Sequence, residues 1–472
     1  MQTTEEALSF LYSLIPKGIK LGLKNISCVL KELGDPQLKI PSIQIAGTNG
    51  KGSTSAFCES ILRTAGYRVG LYTSPHLIHF NERIQIDRIP IPENEMIPLV
   101  HEVKEVVEKF NIPITFFEFS TAMAFLYFAQ KKTDINVIEV GMGGRLDATS
   151  LCRGGISIIT SISLDHSKYL GDSIDQIAFE KASIIKKNGT VFALNESEIV
   201  VETIERVARD KSAEINLLGE HFRVKRTGQE PPSQFLTYSN NHVRFENLKI
   251  SLLGDFQADN AALAVSACIH HADKAGKELS EQSIRTGLET THWDGRMEVV
   301  SDRPTIILDS AHNPDAVKKL AISVKGLFSY ARAVIIVGLM RDKPGNEILE
   351  LLSSFGDHFI LVRPRQDRSE DPERLREYLC HRQISCEVIE SVHEAIRKAK
   401  QIASPDDIVC ITGSIFTVGE AKQYFEENEP DLKELAVEDL ALNKQKKIKL
   451  EKSEAEKFYQ VHQSKPFYNY FL

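Results

Sequence analysis

The sequence predicts an α/β fold of two domains, each built on a mainly parallel sheet covered by helices, followed by a charged tail. Three observations predict it. Short β-branched apolar runs alternate with longer helical stretches almost throughout, as βαβ units do. The 472 residues suit two or three domains at about 100–200 residues each. Apolar residues make up 42% and charged residues 26%, a globular balance that excludes a wholly disordered, collagen-like or disulfide-stapled chain.

In chain order, Ile43–Ala46, Val137–Val140, Ile156–Ser163 and Thr190–Leu194 read as buried strands, with helices such as Ser55–Ala65 and Thr121–Gln130 between them. Leu217–Ile250 is rich in polar and turn residues and reads as a β-rich excursion. A second set of units starts near Thr305. Its strands are Thr305–Leu308, Ala333–Val337, His358–Val362, Cys386–Ile389 and Asp407–Ile411. Its helices are Asp315–Leu327, Asn346–Ser353, Glu373–Leu379, Val392–Ile402 and Gly419–Glu426. The turn-forming pair Asp294-Gly295 interrupts the pattern, which sets the domains at 1–296 and 297–428. Residues 429–472 hold a Lys- and Glu-rich run (Asn443–Lys457) and an aromatic end (Phe467–Phe471), and read as a charged helical or disordered appendage.

The net charge is −8, from 57 Lys and Arg against 65 Asp and Glu. No global basic field is available for nucleic acid or an anionic membrane, so neither is expected as a partner. The start, MQTTEEALSF, lacks the basic-then-apolar pattern of a secretory signal. No apolar run reaches the roughly 18 residues of a membrane span. Seven scattered cysteines without a CxxC pair read as reduced thiols. A cytoplasmic location is expected.

Four segments could carry chemistry. Gly47-Thr48-Asn49-Gly50-Lys51-Gly52-Ser53-Thr54 follows a strand and precedes an apolar helix. Its glycines let N–H groups turn towards a phosphate, the helix start adds a favourable dipole, and Lys51 adds charge. The spacing departs from G-x-x-x-x-G-K-[ST], because Gly52 separates Lys51 from the hydroxyls of Ser53 and Thr54. Glu139 sits inside an apolar strand, just before Gly141-Met142-Gly143-Gly144. A buried carboxylate is costly unless paired or bound to a cation. Asp165-His166 follows another strand. In Asp309-Ser310-Ala311-His312-Asn313-Pro314, Asn313 and Pro314 suit a helix start, while Asp309 and His312 have no part in that capping. On its own, Lys181 reads as a surface helix lysine.

Together these segments resemble the folylpolyglutamate synthase/dihydrofolate synthase family of the muramyl-type ligase superfamily. The likeness runs from about Leu21 to about Glu427. It is carried by GTNGKGST, TSPHL (73–77) with NERI (81–84), TFFEFST (115–121), EVGMGGRLDAT (139–149), LDHSKYLG (164–171), Ile177–Lys181, Asp309–Pro314 and Thr412–Val418. TSPHL, NERI and TFFEFST point to the folate branch; the alternative is a muramyl-type ligase acting on a non-folate acceptor.

The resemblance implies an N-terminal P-loop ATPase-like domain and a smaller Rossmann-like C-terminal domain, working as a cytoplasmic monomer. It implies ATP-dependent addition of L-glutamate to dihydropteroate, to reduced folates, or to both, through an acyl phosphate. By position, Asn49, Gly50, Lys51, Gly52 and Ser53 form the phosphate loop, and Asn260, Arg296 and Asp309 contact ATP. Two Mg²⁺ ions are implied at Ser74, Glu139, His166 and Lys181, the last of these carbamylated. Lys51, Lys181 and His312 are the implied catalytic residues, and Thr115, Phe117, Leu146, Asp147 and Ala148 the pterin-side contacts. The chain departs from the family pattern at Phe256 (usually His), Ser310 and Ser183 (usually Gly) and Asn25 (often Arg).

Overall fold

A computed structural model describes residues 3–18, 20–230 and 233–428. The strands of its largest sheet are β1 (Ser42–Ala46), β2 (Val69–Tyr72), β3 (Ile84–Ile86), β4 (Ile89–Pro90), β5 (Ile135–Glu139), β6 (Gly154–Ile159), β7 (Thr190–Ala193) and β8 (Glu214–Leu217). They lie in the order β4-β3-β2-β5-β1-β6-β7-β8. The six strands from β2 to β8 pair in parallel, and the β2-β3-β4 edge is antiparallel. The expected β-rich excursion is a separate antiparallel sheet of β9 (Phe222–Glu230), β10 (Ser233–Asn240) and β11 (Arg244–Ile250).

The third sheet contains β12 (Glu298–Asp302), β13 (Thr305–Leu308), β14 (Ala333–Val337), β15 (His358–Leu361), β16 (Ser385–Val388) and β17 (Ile408–Thr412), ordered β12-β13-β17-β14-β15-β16. All its pairings are parallel except β12–β13.

Helices bury both faces of the large sheet, which is why its strands read as continuous apolar runs. On one face Ile43 and Ile45 pack with Phe57 of the helix Lys51–Thr64 and Leu263 of the helix Phe256–Lys274. On the other, Ala46 and Val140 pack with Ile177 and Ala178 of the helix Ile174–Ala182. Tyr72 and Ile138 meet Phe119 of the helix Phe116–Lys131. A separate core, with Ile307, Ile335 and Leu320 fully or almost fully buried, fills the third sheet's region.

Several elements differ from expectation at their ends. The helix expected from Ser55 begins at Lys51, because its polar first turn is buried rather than solvated. The helix expected from Thr121 begins at Phe116, where Thr115 and Glu118 form a reciprocal capping box. The chain divides into compact units at Glu420/Ala421. The first holds all three sheets; of the second, residues 421–428 are described, as the end of the helix Ile415–Asn428. The tail expected over 429–472 lies outside the described residues. Among those described, no helix is long and apolar enough to cross a membrane.

Candidate active site

The chemistry-bearing residues gather at the carboxyl ends of parallel strands, where open α/β sheets take their ligands. Gly47 follows β1, Ser74 lies just beyond β2, Glu139 ends β5, Asp165-His166 follow β6, and Asp309 follows β13.

The loop after β1 turns directly into a helix. Gly50 is the N-cap, at φ 91°, and no side chain caps this helix. A Cβ at Gly50 would stand 2.6 Å from Asn260 Oδ1, and one at Gly52 would stand 2.8 Å from Trp293 Nε1. Glycine therefore meets both a left-handed backbone and a close approach here. Ser53 is buried and its hydroxyl accepts from Gln257 Nε2 at 3.2 Å; Asn260 Nδ2 in turn donates to Gln257 Oε1 at 2.9 Å. The uncapped first turn presents backbone donors and a positive dipole end, as anion sites do.

Two lysines converge on one carbonyl of this loop. Lys51 Nζ donates to Gly47 O at 3.1 Å and Thr48 O at 3.0 Å, and Lys181 Nζ donates to Gly47 O at 2.7 Å. Lys181 is 4% exposed, which corrects the local reading of a surface lysine: its side chain packs on the glycine loop after β1 rather than facing solvent. Burial, reinforced by the Lys51 charge, lowers the Lys181 pKa to about 7. Burial also lowers that of Lys51, against the opposing pull of Glu139 and Asp165.

Carboxylates and imidazoles complete the cluster. Glu139 Oε2 accepts from the Ser74 N–H at 3.0 Å. Burial raises its pKa, and the Lys51 charge opposes that. Burial would also raise Asp165, but His166, Lys343 and His312 outweigh it and hold this carboxyl well below the usual carboxylate range. Burial keeps His166 neutral further down the pH scale, although Asp165 opposes it. His312 is lowered to about 4, by burial and then by the Lys343 charge. Its Nδ1 lies 2.9 Å from Ser310 O. A carbonyl only accepts, so Nδ1 carries the proton and Nε2 presents a lone pair.

Asn49 and Asn313 exchange side-chain hydrogen bonds at 3.2 and 3.0 Å, and Asn49 Nδ2 also donates to Asp315 Oδ2 at 2.9 Å. Asn313 keeps its expected cap, accepting from Ala316 N–H at 2.9 Å. One residue thus starts a helix and holds the glycine loop after β1.

Asp309 accepts from the N–H groups of Met297 and Ala311, each at 2.9 Å. Burial raises its pKa against the charge of Arg296. The Phe117 ring lies against Gly141, two residues past Glu139, since a Cβ there would meet its Cζ at 2.4 Å. Thr115 uses its hydroxyl to cap its own helix, accepting from Glu118 N–H at 3.3 Å, and also donates to Glu118 Oε2 at 2.8 Å. Asp147 ties the glycine loop together, accepting from Met142 N–H at 2.9 Å and Thr149 Oγ1 at 2.6 Å. Of its neighbours, Ala148 is buried and Leu146 half-buried.

Residues 45–268 match the Mur ligase middle domain, and residues 295–415 match the glutamate ligase domain of Mur ligases. The dihydrofolate synthase/folylpolyglutamate synthase of Bacillus subtilis is 33% identical over 89% of this chain and 98% of its own. The Escherichia coli protein of the same name is 34% identical over 87% and 93%. The chain belongs to the dihydrofolate synthase/folylpolyglutamate synthase family. It is an ATP-dependent ligase. Among solved structures, E. coli FolC in complex with DHPP and ADP matches with a TM-score of 0.82 and 32% identity, over 90% of this chain and 98% of that one. The folylpolyglutamate synthase of Mycobacterium tuberculosis complexed with ADP matches with a TM-score of 0.83 and 29% identity, over 89% and 99%.

Sequence reasoning missed several residues of this ligase. Lys343, which donates to Asp165 Oδ1 at 2.7 Å, lies in a stretch, Arg341–Gly345, that reads as a turn. Trp293 and Gln257 gave no local signal for the first turn they cover. The departures from the family pattern have local partners: Phe256 lies over Gly254, Ser183 donates to Phe179 O at 2.7 Å, and Asn25 donates to Pro113 O at 3.1 Å.

Proposed function

We propose that this ligase joins L-glutamate to dihydropteroate, to reduced folates, or to both, through an acyl phosphate. The observation that carries the reading is the convergence of Lys51 and Lys181 on Gly47 O at an uncapped helix start. The Lys51 ammonium and a row of backbone donors suit a polyphosphate, and the Lys181 amine, buried against the same carbonyl, is held ready for modification. The acceptor carboxylate attacks the γ-phosphorus and ADP leaves. The glutamate amine then attacks the acyl carbon, loses its proton, and phosphate departs as the C–O bond breaks. Such transfer needs positive charge around the phosphoryl oxygens rather than a protein nucleophile.

Lys51 supplies part of that charge, with Asn49, Gly50, Gly52 and Ser53 around the phosphates and Asn260, Arg296 and Asp309 on the nucleotide. Ser74, Glu139, His166 and Lys181 fit Mg²⁺, because a buried carboxylate, a hydroxyl and an imidazole held neutral by burial form a suitable donor set. When bound, two such ions supply further positive charge at the transferring group. An amine that gives up its proton near pH 7 suits Lys181 to carbamylation, which replaces an ammonium with a carboxylate. His312, with Nε2 3.8 Å from Asp165 Oδ2, is assigned a place beside the phosphoryl-transfer position. Phe117, with Thr115 and Leu146-Asp147-Ala148 beside it, offers the pterin a flat face.

Residues 1–296 and 297–428 are the two domains of this reading, supported by the separation of β1–β11 from β12–β17. The protein acts as a monomer in the cytoplasm, the location being supported by its scattered cysteines. The folate-ligase names of its relatives support this acceptor class over a muramyl one.

The test is phosphate release by the purified protein with Mg-ATP and L-glutamate. Release that needs dihydropteroate marks dihydrofolate synthase activity, and release that needs a reduced folate marks polyglutamate synthesis. No release with either acceptor, from a folded protein that binds ATP, overturns the proposal.

A further inference from the structure

The turn between β3 and β4 is made by Asp87 and Arg88, both left-handed, at φ 51° and 70°. A two-residue hairpin turn of this kind favours Asn-Gly, and a long side chain is disfavoured at its second position. Arg88 holds that position with its side chain folded back onto the body. Its guanidinium lies 4.7 Å from the centroid of the Trp293 ring and donates to His292 O. Arginine stacking on an indole is favourable, the more so when shielded from water.

The Nε1 edge of the Trp293 ring lies against the nucleotide loop. Its indole Nε1 fills the space a Cβ at Gly52 would need. Only Asp294 and Gly295 separate Trp293 from Arg296, the residue assigned to ATP above. A carboxylate of the same helix also favours the charge of Arg88. Glu59, fully buried two turns after Lys51, accepts from Arg63 Nε at 2.8 Å through Oε1. Glu59 Oε2 and Arg88 Nη1 are both buried without a hydrogen-bond partner among the described residues, and Glu59 is the largest charge favouring the ionised form of Arg88.

We infer that Arg88 is a positioning residue for the nucleotide: it clamps Trp293 against the first turn of the helix Lys51–Thr64, and so fixes the segment that delivers Arg296. It touches neither ATP nor the reacting atoms. The inference rests on the phosphate-loop reading above. It goes further, because a hairpin on the antiparallel edge of the large sheet then helps to set nucleotide affinity.

Trp293 is the only tryptophan in the chain, so its emission reports the clamp directly. The experiment compares the wild-type protein with Arg88→Gly, Arg88→Asn and Arg88→Lys. Gly and Asn both tolerate the left-handed turn, so a variant that folds is available. Expected for Gly and Asn are a shifted Trp293 emission, greater quenching by acrylamide, and a KM for ATP raised about tenfold. KM for glutamate stays within error, and the variants remain folded, with a melting temperature lowered by the lost ring contact. Arg88→Lys, which keeps a cation over the ring, recovers part of the ATP affinity.

Unchanged emission and unchanged KM for ATP in both turn-compatible variants overturn the inference. So does an equal loss towards every substrate, which would mark general damage. Wild-type protein that fails to bind ATP in a direct titration sinks the phosphate-loop reading, and this inference with it. Failure of the inference alone leaves wild-type binding intact.

Discussion

Lys343 Nζ lies 2.7 Å from Asp165 Oδ1, and the two side chains are only 8% and 11% exposed. Lys343 follows β14 of the third sheet, and Asp165 follows β6 of the large one. The pair therefore joins the two parallel sheets beside His166 and His312. Removing one member of a buried pair strands the other charge.

Lys343→Met should accordingly destabilise the fold by about 2–3 kcal/mol, below the roughly 3–5 of a wholly buried pair, because Asn313 and His312 remain near Asp165. Asp165→Asn added to it should recover most of the loss in a double-mutant cycle by urea denaturation. A Lys343→Met protein as stable as wild type rejects the latch. The pH dependence has a definite sign. Asp165 is held below its unfolded value, so its contribution is complete above about pH 4 and disappears as the pH falls through the depressed folded value.

Lys181 should titrate in the activity. Carbamylation needs the neutral amine, so turnover should fall as the pH drops below about 7, and added bicarbonate should restore part of it. Lys181→Ala should remain folded, lose glutamate-dependent phosphate release, and ignore bicarbonate. Full activity in that variant removes Lys181 from the mechanism. The unfolded amine titrates near ~10.4. Between the two values the unfolded chain binds the extra proton, and stability at this site rises with pH across that window.

How much of this was legible depends on the range of the signal. The glycine loop after β1 stood out because glycine, lysine and hydroxyl residues follow an apolar strand within eight positions. Glu139 could be read because a carboxylate inside Asn136–Val140 contradicts its own strand. The early start of the helix at Lys51 could not, because Lys51–Thr54 have no apolar period, and Gly52 and Ser53 are covered by Trp293 and Gln257, more than 200 positions away. Lys181 misled for the same reason: Phe179-Glu180-Lys181 looks solvated until Gly144 packs on Glu180 O. The cap at Asn313 was legible, but its bonds to Asn49 were not, since capping accounts for the residue without them.

Glu139→Gln keeps the shape and removes the charge. If this carboxylate holds Mg²⁺, kcat should fall roughly 10²-fold, in line with the several kcal/mol of charge stabilisation a metal supplies, and half-maximal activity should need more Mg²⁺. The melting temperature should not fall, because the variant no longer buries a carboxylate that burial already disfavours. A normal kcat with an unchanged Mg²⁺ requirement counts against the assignment.

Gly50→Ala tests the phosphate loop where two constraints coincide. A non-glycine residue at φ 91° costs about 1–2 kcal/mol, and its Cβ would have to displace Asn260 Oδ1 from 2.6 Å. Asn260 is held by Gln257, which in turn holds Ser53, so the push propagates to the hydroxyl assigned to the phosphates. The expected result is a KM for ATP raised at least tenfold, with a loss of stability of the size given. Both follow from one methyl group. Gly66→Ala is the control: its φ is 89°, and nothing stands within 4 Å of a Cβ there. It should show a similar stability loss and an ordinary KM for ATP. If both variants lose ATP affinity equally, backbone strain alone explains the effect, and the contact with Asn260 has no part in nucleotide binding.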